Sequence, residues 1–227
     1  MKGHIFLSGG GDREDTVVLD KKFFNLLPSG SKILYIPIAL NRDAIGFAAC
    51  HDWFSGCISM HSGNKDIDFR MILEDEDVPE LADFNAIYIG GGNTFKLLNY
   101  IKEKKLDKRL VKYLKNGGIL YGGSAGAIIL GENINTVKEE NDSNYEYSRG
   151  LNLVGGLSLI CHYEPNLNEK IMASVNEIST PIIAMPEDSG IAIHPDSIEV
   201  VGNALIFDPE RKKLLKSYLQ KRLWSGK

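Results

Sequence analysis

Short runs in which nearly every position is apolar punctuate the chain: HIFL at 4–7, ILYIPI at 33–38, AIYI at 86–89, GILY at 118–121, LSLI at 157–160 and IIAM at 182–185. Such runs, rich in Ile, Leu, Val and Tyr and apolar on both faces, predict strands covered by helices on either side. Between them the period changes. In TFKLLNYIKEKKLDKRLVKYLKNGG, 94–118, residues Phe95, Leu98, Ile101, Leu106, Leu110 and Leu114 recur at helical intervals, with lysines between them and a Gly117-Gly118 stop. Strand and helix alternate through the first 130 residues, which predicts an α/β fold with a doubly wound, mostly parallel sheet flanked by helices.

The last third has a different texture. GIAIHPDSIEVVGNALIFDPERKKLL, 190–215, offers short strands joined by turn residues at Pro195-Asp196 and Gly202-Asn203, and predicts a short antiparallel C-terminal edge. The polar, weakly periodic segment 136–156 reads as one long loop, a length that in compact domains is usually functional. No repeat, low-complexity tract or linker divides the chain, so residues 1–227 are expected to form a single domain.

Composition narrows the class of partner. Forty-three per cent of residues are hydrophobic, 25% are charged and the net charge is −4, which favours neither nucleic acid nor a membrane surface and leaves a small molecule or peptide as the expected ligand. Cys50, Cys57 and Cys161 lack the paired spacing of zinc ligands and sit in apolar surroundings that suit reduced thiols. The N-terminal apolar run is too short for a signal peptide, and no stretch of about 18 apolar residues could span a bilayer. A cytoplasmic location is expected.

In an open α/β sheet, ligands bind beyond the carboxyl ends of the strands. That rule singles out SGGGDRED, GGGNTF, GGSAGA, CHYEPN and PEDSG. Gly122-Gly123-Ser124-Ala125-Gly126 matches G-x-S-x-G where an apolar strand passes into a helix-compatible run, the setting in which a sharp turn exposes a serine hydroxyl. A tight turn of small residues would explain the glycines equally well, but not a hydroxyl among them. A nucleophilic serine also needs two N–H donors for the developing oxyanion. Ala125 follows the serine, and the loop Gly90-Gly91-Gly92-Asn93-Thr94 is suited to supply the second donor, while Asn93 or Thr94 can cap the next helix.

Five histidines compete for the role of base. His4 begins a buried run, and His51 and His61 flank a helix-like segment, where structural roles are expected. His162 and His194 each follow a strand. Glu187, after IIAMP, could orient an imidazole, with Asp188 and Asp142 as rivals. Two triads remain open, Ser124-His162-Glu187 and Ser124-Glu187-His194, the second having the chain order of α/β-hydrolases.

GGGNTFKLL followed by ILYGGSAGA, then CHYEPN and MPEDSG, resembles peptidase E, the aspartyl dipeptidase family of serine peptidases, over roughly residues 1–210. The resemblance implies a fold like that of class I glutamine amidotransferases, with Ser124 as nucleophile, His162 as general base, Glu187 as third member and oxyanion donors at Gly92 and Ala125. It implies a peptide substrate, expected contacts at Asn93 and Gly123, and a mechanism that needs no metal or organic cofactor. Two departures bear on specificity. Members typically carry tryptophan before the serine, where this chain has Gly123, so a widened or reshaped pocket is expected. The arginine-bearing stretch linked to recognising an amino-terminal aspartate has no counterpart in HYEPNLNEKIMASVNEI, which lacks arginine altogether. The related cyanophycinases place an acid in the loop after the nucleophile helix, which makes Asp142 and Glu139 alternative acids. An esterase or amidase acting through His194, a non-catalytic ligand-binding protein on the same fold, and pairing of sheet edges into a homodimer complete the expectations.

Overall fold

A computed structural model describes residues 2–40, 46–137, 141, 144–209 and 212–213. A seven-stranded sheet is formed by β1 (His4–Ser8), β2 (Ser31–Ile36), β3 (Ile67–Met71), β4 (Ala86–Ile89), β5 (Ile119–Gly123), β8 (Gly190–Ile193) and β9 (Ile198–Val201), with β5 at its centre. The order is β3-β2-β4-β5-β1-β8-β9; the first five strands are parallel, and the β8–β9 hairpin adds an antiparallel edge. The doubly wound, mostly parallel sheet with an antiparallel edge is therefore present.

Period-two alternation sorts the strand side chains onto two cores. Phe6, Tyr35, Tyr88 and Tyr121 pack with Phe23, Phe24 and Phe54 of the helices α1 (Val17–Leu26) and α2 (Phe47–His61). Ile5, Leu7, Ile36 and Ile89 pack on the other face against Leu97, Leu98, Leu106 and Leu110 of α3 (Thr94–Glu103) and α4 (Leu106–Lys115). The helical stretch at 94–118 is thus two helices. Lys105 adopts the left-handed conformation at φ 54°, and the five-residue step from Ile101 to Leu106 marks the restart of the apolar stripe. Beneath β5, Tyr121 donates to buried Asp20 at 2.6 Å and Thr16 donates to the same carboxylate at 2.7 Å, which ties the strand carrying the serine loop to α1.

The runs at 157–160 and 182–185 are strands, but not strands of the large sheet. β6 (Ser158–Ile160) and β7 (Ile182–Ala184) pair in parallel in a second sheet of order β11-β10-β7-β6, with β10 (Leu205–Phe207) antiparallel to β7 and β11 (Lys212–Lys213) beyond it. Helix α6 (Asn168–Ile178) covers it through Ile171 and Val175. The C-terminal meander is correspondingly split: Pro195-Asp196 turns the β8–β9 hairpin, whereas Gly202-Asn203 carries the chain to the second sheet. An apolar run of three residues fits either sheet equally well, so its own pattern does not assign it. Among the described residues, no helix is long and apolar enough to cross a membrane.

Candidate active site

The site is assembled where β1, β4 and β5 end together. Ser8 pairs with Gly123, and Ile89 with Gly122, so the three glycine-rich loops leave one edge side by side. β5 passes through Ser124 into the short helix α5 (Ala125–Ile128). Ser124 has φ 49° and ψ −114°, a conformation that costs an L-residue on the order of 1–3 kcal/mol and persists only where its surroundings enforce it. Two neighbours show the enforcement. A Cβ on Gly122 would stand 2.5 Å from the Gly126 carbonyl oxygen, and one on Gly126 would run into the carbonyl of Ile89.

His162 is brought to the serine from the second sheet. It follows β6 with φ 52°, and its backbone N–H donates to Gly9 O at 2.9 Å, while Tyr163 N–H donates to Met185 O at 3.1 Å. Glu187 follows β7, and its carbonyl accepts from Gly11 N–H at 3.3 Å. The loop after β1 therefore joins both segments to the large sheet. Gly10 lies at φ 101° between the two side chains: a Cβ there would meet His162 Nε2 at 2.6 Å and Ser124 Cβ at 2.8 Å.

The result is one hydrogen-bonded chain. Ser124 Oγ is 2.9 Å from His162 Nε2, and His162 Nδ1 is 2.8 Å from Glu187 Oε1. A carboxylate accepts only, so Nδ1 carries the proton and Nε2 is left to accept from the serine hydroxyl. The His162 and Glu187 side chains are 45% and 58% exposed, so water and substrate reach them freely. Ala125 N–H stands in the first turn of α5, where no intrahelical acceptor is available to it. Across from it, a Cβ on Gly91 would lie 3.0 Å from Ser124 Cβ and 3.6 Å from Oγ, which puts the Gly90–Gly92 loop beside the serine.

Other candidates fall elsewhere. His194 lies at the opposite end of β1, because β8 runs antiparallel and pairs Ile193 with Ile5. Its Nδ1 is 2.7 Å from His4 Nδ1, and its ring packs edge-on against Phe6, a strand length of roughly 13 Å from the serine end. The triad that used His194 is thereby corrected. Asn93 Oδ1 accepts from Lys96 N–H at 2.8 Å and caps α3, so that oxygen is occupied by the helix end. Asp188 accepts from Ser189 at 2.9 Å. Asp142 and Glu139 lie outside the described residues. All three cysteines are buried and unbridged, and no cluster of metal-ligating side chains occurs among the described residues.

Gly123 predicts a widened pocket, but the residues of its walls escaped sequence reasoning. A cavity of about 430 Å³ opens at Ser124 between Gly91 and Gly123, with Tyr35, Trp53 and Tyr88 among its walls. Tyr35 and Tyr88 sit in runs that read simply as buried strand, and Trp53 in a segment that reads simply as helix. A signal was present in their shared face, since all three project between the sheet and α2.

The profile of Peptidase family S51 matches residues 5–201. Peptidase E of Shewanella denitrificans is 28% identical over 183 residues, covering 76% of this chain and 75% of that protein. Peptidase E of Shewanella putrefaciens is 26% identical over 203 residues, covering 84% and 83%. Two solved structures share the fold: a candidate peptidase E protein from Listeria monocytogenes EGD-e, with TM-score 0.67, 22% identity and coverage of 88% of this chain and 98% of that one, and a peptidase from an acI-B1 Actinobacterium, with TM-score 0.68, 21% identity and 95% coverage of each. With most of its length matched by the family profile, the chain belongs to Peptidase family S51 and is a serine-type peptidase.

Proposed function

We propose that Ser124, His162 and Glu187 form a catalytic triad that hydrolyses dipeptides or small peptides through an acyl-enzyme. The observation that carries this reading is the unbroken hydrogen-bond chain from Ser124 Oγ through both ring nitrogens of His162 to Glu187. Ser124 attacks the scissile carbonyl as His162 Nε2 takes its proton; Glu187 holds the imidazole in the required tautomer and stabilises the imidazolium. His162 then protonates the departing amine. Water, activated by the same nitrogen, releases the acyl group and regenerates the serine.

The negative charge that develops on the carbonyl oxygen is met by the Ala125 and Gly92 N–H groups, each such donor contributing about 3–4 kcal/mol to the barrier reduction in enzymes of this chemistry. A small-peptide substrate agrees with the peptidase E names of the relatives and with the size of the cavity beside the serine. The experiment is turnover of a dipeptide panel by wild type and Ser124→Ala. Loss of hydrolysis in a folded variant is expected; undiminished hydrolysis would sink the proposal.

A further inference from the structure

We infer that the cavity beside Ser124 receives an aromatic or bulky aliphatic side chain, that of the residue contributing the scissile carbonyl, and disfavours a carboxylate there. The word scissile rests on the catalytic reading above; the recognition itself rests on the walls.

Glycines and apolar side chains make up most of those walls. Tyr35, Trp53 and Tyr88 cluster there, with ring centroids 6.5 Å apart for Tyr35–Trp53, 6.2 Å for Trp53–Tyr88 and 5.8 Å for Tyr35–Tyr88; the two tyrosines are buried, stacked on Phe54 and Tyr121, so half-buried Trp53 is the ring most open to the cavity. Leu40, Ala49 and Cys50 extend the cluster. Between it and the serine stand Gly90, Gly91 and Gly123, none with a side chain to fill the gap. At Gly123 a Cβ would stand in ordinary contact with Tyr88 Oη at 3.5 Å, so a single carbon fits there and a larger side chain would intrude on the cavity. A volume of about 430 Å³ lies within the range of about 300–1,000 Å³ typical of small-molecule pockets and admits a side chain of ring size against Trp53.

Charge points the same way. Among the described residues that line the cavity, the single charged one is Asp12, a carboxylate, and no lysine or arginine accompanies it. Arg13 lies near Gly56 and Glu14, and Arg149 is paired with Glu132 at 3.1 Å. Burial pushes the Tyr35 and Tyr88 hydroxyls up, so both stay neutral at physiological pH and offer hydrogen bonds without a cationic partner. A carboxylate entering here would lose water, find no counter-charge among the described residues that line the cavity and approach Asp12.

The side of the scissile bond follows from the proton path. His162 must hand its proton to the leaving amine, and the His162 ring does not line the cavity, whose walls run from Gly10, which stands between His162 and Ser124, to Gly91 and Gly123 beyond the serine. The leaving group therefore departs on the histidine side, and the cavity faces the acyl residue.

The test separates recognition from catalysis. Dissociation constants of Phe-Ala, Leu-Ala, Ala-Ala and Asp-Ala are measured by calorimetry on the Ser124→Ala protein, alone and combined with Trp53→Ala or Gly123→Leu. Phe-Ala and Leu-Ala are expected to bind about tenfold or more tightly than Asp-Ala, with the advantage cut severalfold by either added substitution. Equal or tighter binding of Asp-Ala, an advantage untouched by both substitutions, or no binding of any of the four at millimolar concentration would overturn the inference. If the binding order holds while wild type hydrolyses none of them, the triad proposal fails and the recognition stands.

Discussion

The two ends of β1 carry the same chemical vocabulary. At its carboxyl end, His162 lies between Ser124 at 2.9 Å and Glu187 at 2.8 Å; at its amino end, His194 lies between His4 at 2.7 Å and Glu199 at 3.6 Å. An imidazole beside a glutamate is therefore not in itself a site. What differs is the backbone around it. Ser124 and His162 both have positive φ, and Gly10 is kept bare between them, whereas His194 follows a regular strand into a hairpin turn, its N–H donating to Ser197 O at 2.8 Å. The first histidine faces a hydroxyl that strain has turned outward at a confluence of loops. The second faces another histidine over Phe6.

The sharpest way to break this contrast is to remove the members of each set in turn. Ser124→Ala and His162→Ala are each expected to lower kcat/KM by on the order of 10⁴-fold or more, read in a continuous dipeptide assay. Glu187→Gln should cost about 10³-fold, because the imidazole keeps its place but loses the acceptor that fixes its tautomer. Gly10→Ala should cost about 10²-fold in kcat with the active-site groups all present, since a Cβ there displaces His162 from Ser124 and a misplacement of about 1 Å is worth that much. His194→Ala should leave kcat/KM within about twofold.

The smallest effect belongs to the amino end and concerns stability. Burial, and then the neighbouring His194, hold the His4 pKa below its usual value of 6.5. The unfolded chain therefore binds the proton more readily than the folded one, so this contribution is present above about pH 6.5 and is lost as pH falls through the window between 6.5 and the depressed native value. Urea titrations of His4→Gln should show a flatter stability profile between pH 7 and 5 than wild type.

These contrasts also show where sequence pattern stops. The elbow was legible because glycines at 122 and 126 answer two specific backbone collisions, and a strand ran into them. The choice of histidine was not legible from the residues alone: CHYEPN and IAIHPD both place histidine after a short apolar run, and only the antiparallel direction of β8 sends His194 to the far edge. Sheet membership of β6 and β7 was hidden for a related reason, since three apolar residues carry no record of which neighbours they pair with. The cavity was hidden because Tyr35 and Tyr88 are buried like ordinary core residues, and only the missing side chains at Gly90, Gly91 and Gly123 leave room beside them.

The most direct test is covalent. A fluorophosphonate probe reacts with serine only where a base lowers the cost of removing its proton, and peptide mass mapping locates the adduct. Wild type and His194→Ala should be labelled at Ser124 at comparable rates, and His162→Ala should be labelled at least 10²-fold more slowly. Labelling of His162→Ala at the wild-type rate, or loss of labelling in His194→Ala alone, would contradict the assignment of the catalytic histidine.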